Sequence, residues 1–231
     1  MSVDKQIAAT CIARNSCKQH EVLCGTGCPW FIDLRYQLEL AGIPKKHRKY
    51  IIETLPKGTL KLTGVRRYGD EILERVSVGQ GMYFYGNPGT GKTTTVSAVA
   101  MSYIIARTLQ DIRSGAKTPQ LVQYINVPDL LDELKRGFDD PVVAESAALK
   151  MENARKVPFT IIDDIGAEKP SEWARERLTA LINHRYDNEL CTFFTSNLTI
   201  ADLHIIDPKG RIPSRVKGMT IPVDYKGIDR R

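Results

Sequence analysis

The chain has 231 residues, which suffices for one α/β domain with a sizeable core and a small accessory module but excludes two large domains. Its formal net charge of +6 fits a polyanionic partner without identifying one. No apolar run is long enough to cross a bilayer, and residues 1–10 lack the basic-then-apolar layout of a signal peptide. We therefore expect a cytoplasmic protein with no membrane partner.

Four of the five cysteines crowd into the N-terminal segment. In a reducing compartment such a cluster indicates metal ligation rather than disulfides, and four of five candidate side chains could form a tetrahedral zinc site. The candidates are Cys11, Cys17, His20, Cys24 and Cys28. Two paired CxxC spacings are lacking, so an iron–sulfur cluster and a segment with free thiols stay open as alternatives. Cys191 stands in an apolar run and is predicted to be a core residue.

A short amphipathic helix is predicted over residues 30–40, ending near Gly42 and Pro44. Its apolar side chains either pack on the cysteine-rich segment or dock in a groove of a partner protein. These side chains are Trp30, Phe31, Leu34 and Leu38.

A basic run at residues 45–49 follows this helix. Residues 56–64 contain one proline and two glycines, which is typical of a linker. We therefore predict an N-terminal cysteine-rich module with its linker at residues 1–58 and a larger domain at residues 59–231.

Strand-like and helix-like segments alternate from about residue 65 onward, and the last residues form a less regular tail. This alternation predicts an α/β fold with a parallel sheet wrapped by helices. The predicted segments are 81–85, 92–109, 121–126, 128–136, 157–163, 171–188 and 190–195.

A phosphate-binding loop lies between the first of these strands and the helix that follows it. Its residues are Gly86, Asn87, Pro88, Gly89, Thr90, Gly91, Lys92 and Thr93. Glycines let backbone N–H groups turn inward around phosphates, Lys92 supplies positive charge to the β- and γ-phosphates, and the Thr93 hydroxyl is a Mg²⁺ ligand. An ordinary glycine-rich turn is the alternative, against which the flanking strand and helix patterns argue. The loop predicts a nucleotide-binding protein.

Two carboxylates, Asp163 and Asp164, end the strand predicted at residues 157–163, where open α/β sheets place their ligands. Asp163 is predicted to hold Mg²⁺, directly or through water, and Asp164 to orient and polarise a water that attacks the γ-phosphate. The alternative is a pair of helix-capping residues before a turn at Gly166.

Polar residues after the next strand complete the predicted site. Asn197 follows that strand and is predicted to hydrogen-bond the γ-phosphate or the attacking water. Arg211 and Arg215 lie four residues apart, and Arg230 stands near the end of the chain. An arginine that reaches the γ-phosphate of a neighbouring subunit would stabilise charge in the transition state, whereas the alternative is a solvated surface arginine.

These motifs, in this order, resemble the AAA+ ATPases of the bacterial DnaC/DnaI helicase-loader group, which includes the transposition ATPase IstB. The resemblance is greatest to the DnaI branch and covers most of the chain, more specifically from about residue 60. It rests on Ala41-Gly42-Ile43-Pro44, Tyr85-Gly86-Asn87-Pro88-Gly89-Thr90-Gly91-Lys92-Thr93, Ile162-Asp163-Asp164-Ile165-Gly166-Ala167-Glu168 and Thr192-Phe193-Phe194-Thr195-Ser196-Asn197.

The resemblance implies an AAA+ P-loop fold with a short C-terminal lid and assigns roles to the predicted residues. By this resemblance, Lys92 and Thr93 are Walker A residues, and Asp163 and Asp164 are Walker B residues. Asn197 is the sensor 1 residue and Arg230 the sensor 2 residue. Arg215 is the arginine finger, with Arg211 as the alternative. Most AAA+ proteins carry glutamate at the position of Asp164, so hydrolysis is expected to be slow.

The resemblance also implies a single-stranded DNA contact after the second strand. There Lys135 and Arg136 are expected to meet phosphates and Phe138 to stack on a base. The alternative is that Phe138 extends the apolar face of a helix whose leucines point to the core. These leucines are Leu130, Leu131 and Leu134.

The resulting hypothesis is an ATP-dependent loader that places a hexameric replicative helicase on single-stranded DNA, with Mg²⁺ and zinc as metals and self-association through the ATPase domains. In DnaI-like loaders a zinc-bearing N-terminal domain grips the helicase. Two alternatives are a transposition ATPase that binds duplex DNA and a phage or mobile-element adaptor that binds the helicase with little hydrolysis.

Overall fold

The computed structural model describes residues 11, 25, 28–55, 62–116 and 119–225, and the elements below lie within these ranges. Helices and strands alternate along most of the chain. The helices are α1 (Pro29–Ala41), α2 (Leu62–Asp70), α3 (Ile72–Ser77), α4 (Lys92–Ser114), α5 (Val127–Arg136), α6 (Pro141–Lys156), α7 (Glu172–Asp187) and α8 (Arg211–Met219). The strands are β1 (Gly81–Tyr85), β2 (Val122–Asn126), β3 (Phe159–Asp163), β4 (Cys191–Ser196) and β5 (Thr220–Asp224).

The five strands form one sheet in the order β2-β3-β4-β1-β5, with parallel pairing between all neighbours. All carboxyl ends therefore meet at one edge of the sheet, which confirms the predicted α/β architecture. Because β4 lies between β1 and β3, the segment after β4 separates the loop after β1 from the carboxylates after β3.

The sheet separates two apolar cores, since successive side chains of a strand point to opposite faces. Phe84 and Phe193 pack with α1 to α4 on one face. Tyr83 and Phe194 pack with α5 to α8 on the other face. Cys191 is fully buried on the α4 face, as predicted for a core residue.

The predicted strands match the structure closely, whereas several helices were missed or cut short. Helix α4 extends to Ser114, beyond the predicted residue 109, and ends at Gly115, which adopts φ 71° and caps the helix. Gly64, predicted to belong to a linker, lies inside α2. Helix α6 was not predicted, although Asp140 caps its first N–H groups and Pro141 occupies its first turn.

Within the described residues, which end at 225, the segment after β4 forms part of the core domain, and a lid beyond it stays a prediction. Ile212 and Val216 of α8 are buried in the α7-side core, and β5 pairs with β1 along its whole length. Strand β5 therefore extends the central sheet, and α8 covers part of one face of it. The residues beyond 225, including Arg230, lie outside the described part of the chain.

Helix α1 packs on the α/β core. Leu34 is buried, and Trp30 and Leu38 pack against the same core cluster. The buried Gln37 side chain donates to the Pro119 carbonyl at 2.8 Å and accepts from the Leu121 N–H at 3.0 Å, which fastens α1 beside β2. Leu34 therefore belongs to this core, and Cys11 of the cysteine-rich segment packs against the same cluster. Docking of the helix on a partner stays a prediction.

The predicted zinc site falls largely outside the described residues. Of its five candidates, Cys11 and Cys28 are described, whereas Cys17, His20 and Cys24 are not. Within the described ranges no group of three or more His, Cys, Asp or Glu side chains is arranged to hold a metal. The predicted domain boundary at residues 58 and 59 also lies in a segment, 56–61, that is not described.

Candidate functional site

The predicted phosphate-binding loop connects the carboxyl end of β1 to the amino end of α4. Gly86, Gly89 and Gly91 adopt φ angles of 141°, 76° and 94°, which side chains rarely tolerate. At Gly86 a Cβ atom would also lie 2.5 Å from the Tyr225 carbonyl oxygen. Because no side chain caps α4 at Gly91, the first N–H groups of this helix remain available to an anion.

Lys92 lies in the first turn of α4, and its ammonium group is held inside the loop. It donates to the carbonyl oxygens of Gly86 at 2.8 Å and Asn87 at 2.9 Å. It also donates to Asn197 Oδ1 at 2.9 Å, because β4 lies next to β1. The structure thus brings the predicted lysine and Asn197 into direct contact.

Asp163 ends β3, is almost fully buried and accepts hydrogen bonds from three hydroxyl groups. Thr195 donates to Oδ1 at 2.5 Å, and Tyr124 donates to Oδ2 at 2.6 Å. Thr93 Oγ1 lies 3.0 Å from Oδ1 and 3.3 Å from Oδ2. The predicted pair of Mg²⁺ ligands, Thr93 and Asp163, is therefore adjacent.

Asp164 has a left-handed backbone conformation, with φ 57°, which is uncommon for a residue other than glycine. Its N–H donates to Thr195 Oγ1 at 2.9 Å, so one threonine contacts both aspartates. Burial raises the pKa of the Asp164 carboxyl and the neighbouring Asp163 raises it further, whereas Lys92 acts in the opposite direction. The strained backbone turns this carboxyl away from a regular strand position, which is a feature of many functional sites.

These groups line one cleft of about 650 Å³. Its second wall comes from the segment between α1 and α2, where Pro44, His47, Tyr50 and Leu55 face the loop. His47 Nδ1 lies 3.1 Å from the Thr94 hydroxyl of α4. No sequence motif predicts this wall, although the Ala41–Pro44 motif that carries part of the resemblance leads directly into it.

The groups present fit a nucleotide with its metal ion. The loop offers N–H groups and an ammonium to phosphates, and Thr93 with Asp163 offers the oxygen ligands that Mg²⁺ prefers. Tyr124 also lines the cleft but belongs to none of the motifs that predict the site. Its position in the sequence was an available signal for a site residue. Tyr124 lies two residues before the end of β2, and β2 and β3 end side by side at this edge of the sheet.

The two arginines predicted as candidates for the arginine finger, Arg211 and Arg215, do not line this cleft. Arg211 donates to Glu176 at 2.6 Å, and Arg215 stacks on Tyr186 with 4.7 Å between its Cζ atom and the ring centroid. Arg215 also donates to Asn183 Oδ1 at 3.2 Å. Both arginines belong to α8 and lie outside the set of residues that line the cleft.

The residues predicted to contact DNA lie near an exposed aromatic pair. Phe138 follows α5, is 71% exposed, and lies 5.1 Å from the Trp173 ring, centroid to centroid. Arg177 lies 5.1 Å from the centre of the same tryptophan ring. Lys135 and Arg136 end α5 and are exposed. Because Phe138 is itself exposed, it does not continue the apolar face on which Leu130 is buried.

The family described as "IstB-like ATP binding protein" matches residues 72–207, which is more than half of the chain. The chain belongs to this family. The match spans the phosphate-binding loop, both aspartates and Asn197, so the resemblance inferred from these motifs is confirmed. ATP binding follows from membership of the family, and α1, α8 and β5 lie outside the matched range.

Two curated relatives share this domain. The replicative helicase loader DnaI of Bacillus subtilis (strain 168) is 30% identical over 165 residues, covering 66% of this chain and 48% of DnaI. The replicative helicase loader DnaC of Buchnera aphidicola subsp. Schizaphis graminum (strain Sg) is 25% identical over 137 residues, covering 59% of this chain and 49% of DnaC. The chain thus spans about half the length of these relatives.

A solved DnaI structure supports the fold. The two chains are 22% identical in sequence and superimpose with a TM-score of 0.63. The superposition covers 82% of this chain and 95% of the DnaI chain. In the described part of the chain, no helix combines the length and apolar character needed to cross a bilayer.

Proposed function

We propose that this chain is a cytoplasmic, ATP-dependent loader of a hexameric replicative DNA helicase onto single-stranded DNA. The observation that carries this proposal is the 30% identity over 165 residues with DnaI, which is named a replicative helicase loader. The similarity to DnaC, which bears the same description, supports it.

The cleft between the loop and the carboxylates is the proposed ATP site. Lys92 and the first N–H groups of α4 bind the phosphates, and Thr93 with Asp163 holds Mg²⁺. When bound, Mg²⁺ supplies positive charge that neutralises the phosphate oxygens. The wall that includes His47, Tyr50 and Leu55 gives the nucleotide a partly apolar surface away from the loop.

Asp164 is proposed to orient and deprotonate the water that attacks the γ-phosphate, and Asn197 to hold that water or the phosphate. The contact between Lys92 and Asn197 supports a site in which both residues respond to the same phosphate. Aspartate is shorter than the glutamate common in AAA+ proteins, so hydrolysis is expected to be slow. ATP then acts as a switch for helicase binding and release.

The exposed aromatic pair is the proposed single-stranded DNA contact. Phe138 and Trp173 offer ring faces for bases, and Arg177 with the exposed Lys135 and Arg136 offers positive charge to phosphates. Arg136 pairs with Asp132 within α5 at 2.9 Å, and such an exposed pair is weak enough for a phosphate to displace.

Self-association is proposed to complete the ATP site. Because Arg211 and Arg215 do not line the cleft of their own chain, either one would serve as an arginine finger only in a neighbouring subunit. Arg215 is the stronger candidate, since Arg211 already pairs with Glu176. Arg230 is retained as the sensor 2 residue proposed from the resemblance.

Residues 1–58 are proposed to contact the helicase, with zinc held by four of the five cysteine and histidine candidates. The candidates are Cys11, Cys17, His20, Cys24 and Cys28. A segment of this size has little core of its own without a metal. Zinc content of the purified chain and its loss with a chelator would test this part of the proposal.

A transposition ATPase is the second candidate, because the matching family is described as IstB-like. Such a protein would assemble on duplex DNA and recruit a transposase. A helicase-binding adaptor with little hydrolysis is the third, and it would bind a helicase without measurable turnover in the presence of single-stranded DNA.

Light scattering coupled to size-exclusion chromatography separates these functions. The chain is mixed with candidate bacterial replicative helicase hexamers, with and without ATP and Mg²⁺. A stable complex supports the loader. Failure with every candidate helicase, together with ATP-dependent assembly on duplex DNA, supports the transposition ATPase instead.

A further inference from the structure

Side chains from both neighbouring strands donate hydrogen bonds to Asp163. One of these donors, Tyr124, belongs to none of the motifs that predict the site. Tyr124 of β2 donates its phenol hydrogen to Asp163 Oδ2 at 2.6 Å. Thr195 of β4 donates to Oδ1 at 2.5 Å. The two oxygens of this buried carboxylate therefore have different donors, one from each flanking strand.

The strand register explains how Tyr124 reaches the site. Asn126 lies opposite Asp163, and Tyr124 lies opposite Ile161. Tyr124 therefore points to the same face of the sheet as Asp163, but its position is two residues before the one paired with Asp163. The length of the phenol side chain spans this offset and brings its oxygen to the carboxylate. Tyr124 also lines the cleft itself, together with Thr93 and Asp163.

A carboxylate with a donor on each oxygen cannot rotate about its terminal torsion without breaking a hydrogen bond. Such a torsion is otherwise broad, and a freely turning carboxylate presents its lone pairs in many directions. Partners that hydrogen-bond a metal ligand fix its orientation and contribute strongly to metal affinity. The donors on Asp163 have this arrangement.

We propose that Tyr124 is a positioning residue that fixes the Asp163 carboxylate for Mg²⁺ and thereby couples Mg²⁺ to nucleotide binding. The inference rests on the proposed ATP and Mg²⁺ site. It adds a determinant from β2, a strand that supplies none of the residues predicted for the site.

Tyr124→Phe removes one oxygen at the edge of an open cleft and tests this role. The measurement is the affinity for a fluorescent ATP analogue in EDTA and across a Mg²⁺ titration. Affinity in EDTA is expected to stay within about twofold of the wild type. The Mg²⁺ concentration at half-maximal effect is expected to rise about tenfold, the scale typical for loss of a partner of a metal ligand.

Tyr68→Phe is the matched control. Tyr68 donates to the Gln80 carbonyl, also at 2.6 Å, and does not line the cleft. It loses a phenol hydrogen bond of the same length, so it reports the general effect on stability, and its Mg²⁺ titration is expected to match the wild type. The double variant with Tyr124→Phe and Asp163→Asn is expected to give the same Mg²⁺ titration as Asp163→Asn alone, because the carboxylate is then absent.

The possible outcomes distinguish this inference from the proposed function. A wild-type chain whose nucleotide affinity ignores Mg²⁺ would overturn the proposed metal site. If the wild type responds to Mg²⁺ and Tyr124→Phe responds at the same concentration, the positioning role is wrong. Loss of binding in EDTA as well would assign the phenol a general role in the cleft and would also overturn the inference.

Discussion

At the scale of single residues, one cleft is lined by a positive charge and by two carboxyl groups. The Lys92 ammonium contacts carbonyl and amide oxygens of the loop and of Asn197, and Asp163 and Asp164 line the same cleft. The proposed roles of these residues are phosphate binding for Lys92 and activation of the attacking water for Asp164.

Substitution of these two residues is expected to separate binding from turnover. Lys92→Ala removes the positive charge of the loop and is expected to lower ATP affinity at least about 100-fold, beyond the range of a fluorescent-analogue titration. Asp164→Asn keeps the shape of the side chain and is expected to retain affinity within about threefold while turnover falls at least about 100-fold. Phosphate release measures turnover, and equally poor binding by both variants would contradict the assignment.

The environment of His47 predicts a pH dependence of the stability of the fold. Burial lowers its pKa below the usual value of 6.5, Lys46 and Lys49 lower it further, and Asp163 acts in the opposite direction. The unfolded chain therefore binds a proton at higher pH than the folded chain does. Stability is fully retained above pH 6.5 and falls as the pH drops from there towards the folded pKa, by at most about 1.4 kcal/mol per pH unit.

Urea unfolding at pH 7.5 and pH 5.5 measures this effect. His47→Asn keeps a polar group near the Thr94 hydroxyl but cannot be protonated. The variant is expected to lose less stability than the wild type between the two pH values. Equal losses in both proteins would show that His47 does not titrate as its surroundings indicate.

At the scale of elements, the turn between α5 and α6 and the first turn of α7 meet through the Phe138 and Trp173 rings. Phe138→Ala and Trp173→Ala are each expected to weaken binding of labelled single-stranded DNA about 5- to 150-fold, since a base stacked on an aromatic ring contributes about 1–3 kcal/mol. Fluorescence anisotropy measures this change.

Leu149→Ala is the control for these variants, because Leu149 is an exposed apolar residue of α6 that lies outside the aromatic pair. It is expected to bind DNA like the wild type. Wild-type affinity in both aromatic variants would move the DNA contact elsewhere.

Arg185 joins α6, α7 and the sheet from inside the core. It is fully buried and donates to the carbonyls of Ala154, Val157 and Cys191 and to the Thr192 hydroxyl. Burial lowers its pKa to about 9, so the guanidinium stays charged at neutral pH.

Arg185→Met is expected to destabilise the fold by about 3 kcal/mol or more, because each buried acceptor left without a donor costs about 1–3 kcal/mol. Arg177→Met, on the exposed face of the same helix, is expected to change stability by less than about 1 kcal/mol. Urea unfolding compares the two variants. Similar losses in both would mean that the carbonyls find other donors.

At the scale of the whole molecule, the proposed self-association would bring Arg215 of one subunit to the ATP site of its neighbour. Arg215→Lys keeps the charge but loses the planar donor group, so it is expected to lower turnover at least about tenfold in assemblies while leaving ATP affinity unchanged. Mixing it with Lys92→Ala is expected to restore part of the activity, because some interfaces then combine an intact ATP site with an intact Arg215. No recovery would contradict a role in the neighbouring subunit.

Much of the site was predictable because its signals are local. Glycines with positive φ, a lysine at the start of a helix and aspartates at the end of a strand occupy fixed positions along the chain. Helix α6 was missed even though its cap residues, Asp140 and Pro141, are equally local signals. Strand β5 was missed for a different reason: it is an edge strand with half-exposed residues, and only its pairing with β1 makes it a strand.

The amino-acid sequence by itself determined the nucleotide loop, the carboxylate pair, the alternation of strands and helices and the family, since each depends on residues that are neighbours in the chain. Only the tertiary structure decided that Leu34 of α1 belongs to the core, that Tyr124 and Thr195 hold Asp163, and that Phe138 meets Trp173. These contacts join residues far apart in the chain, and their distances depend on strand order and helix packing, which no local pattern specifies.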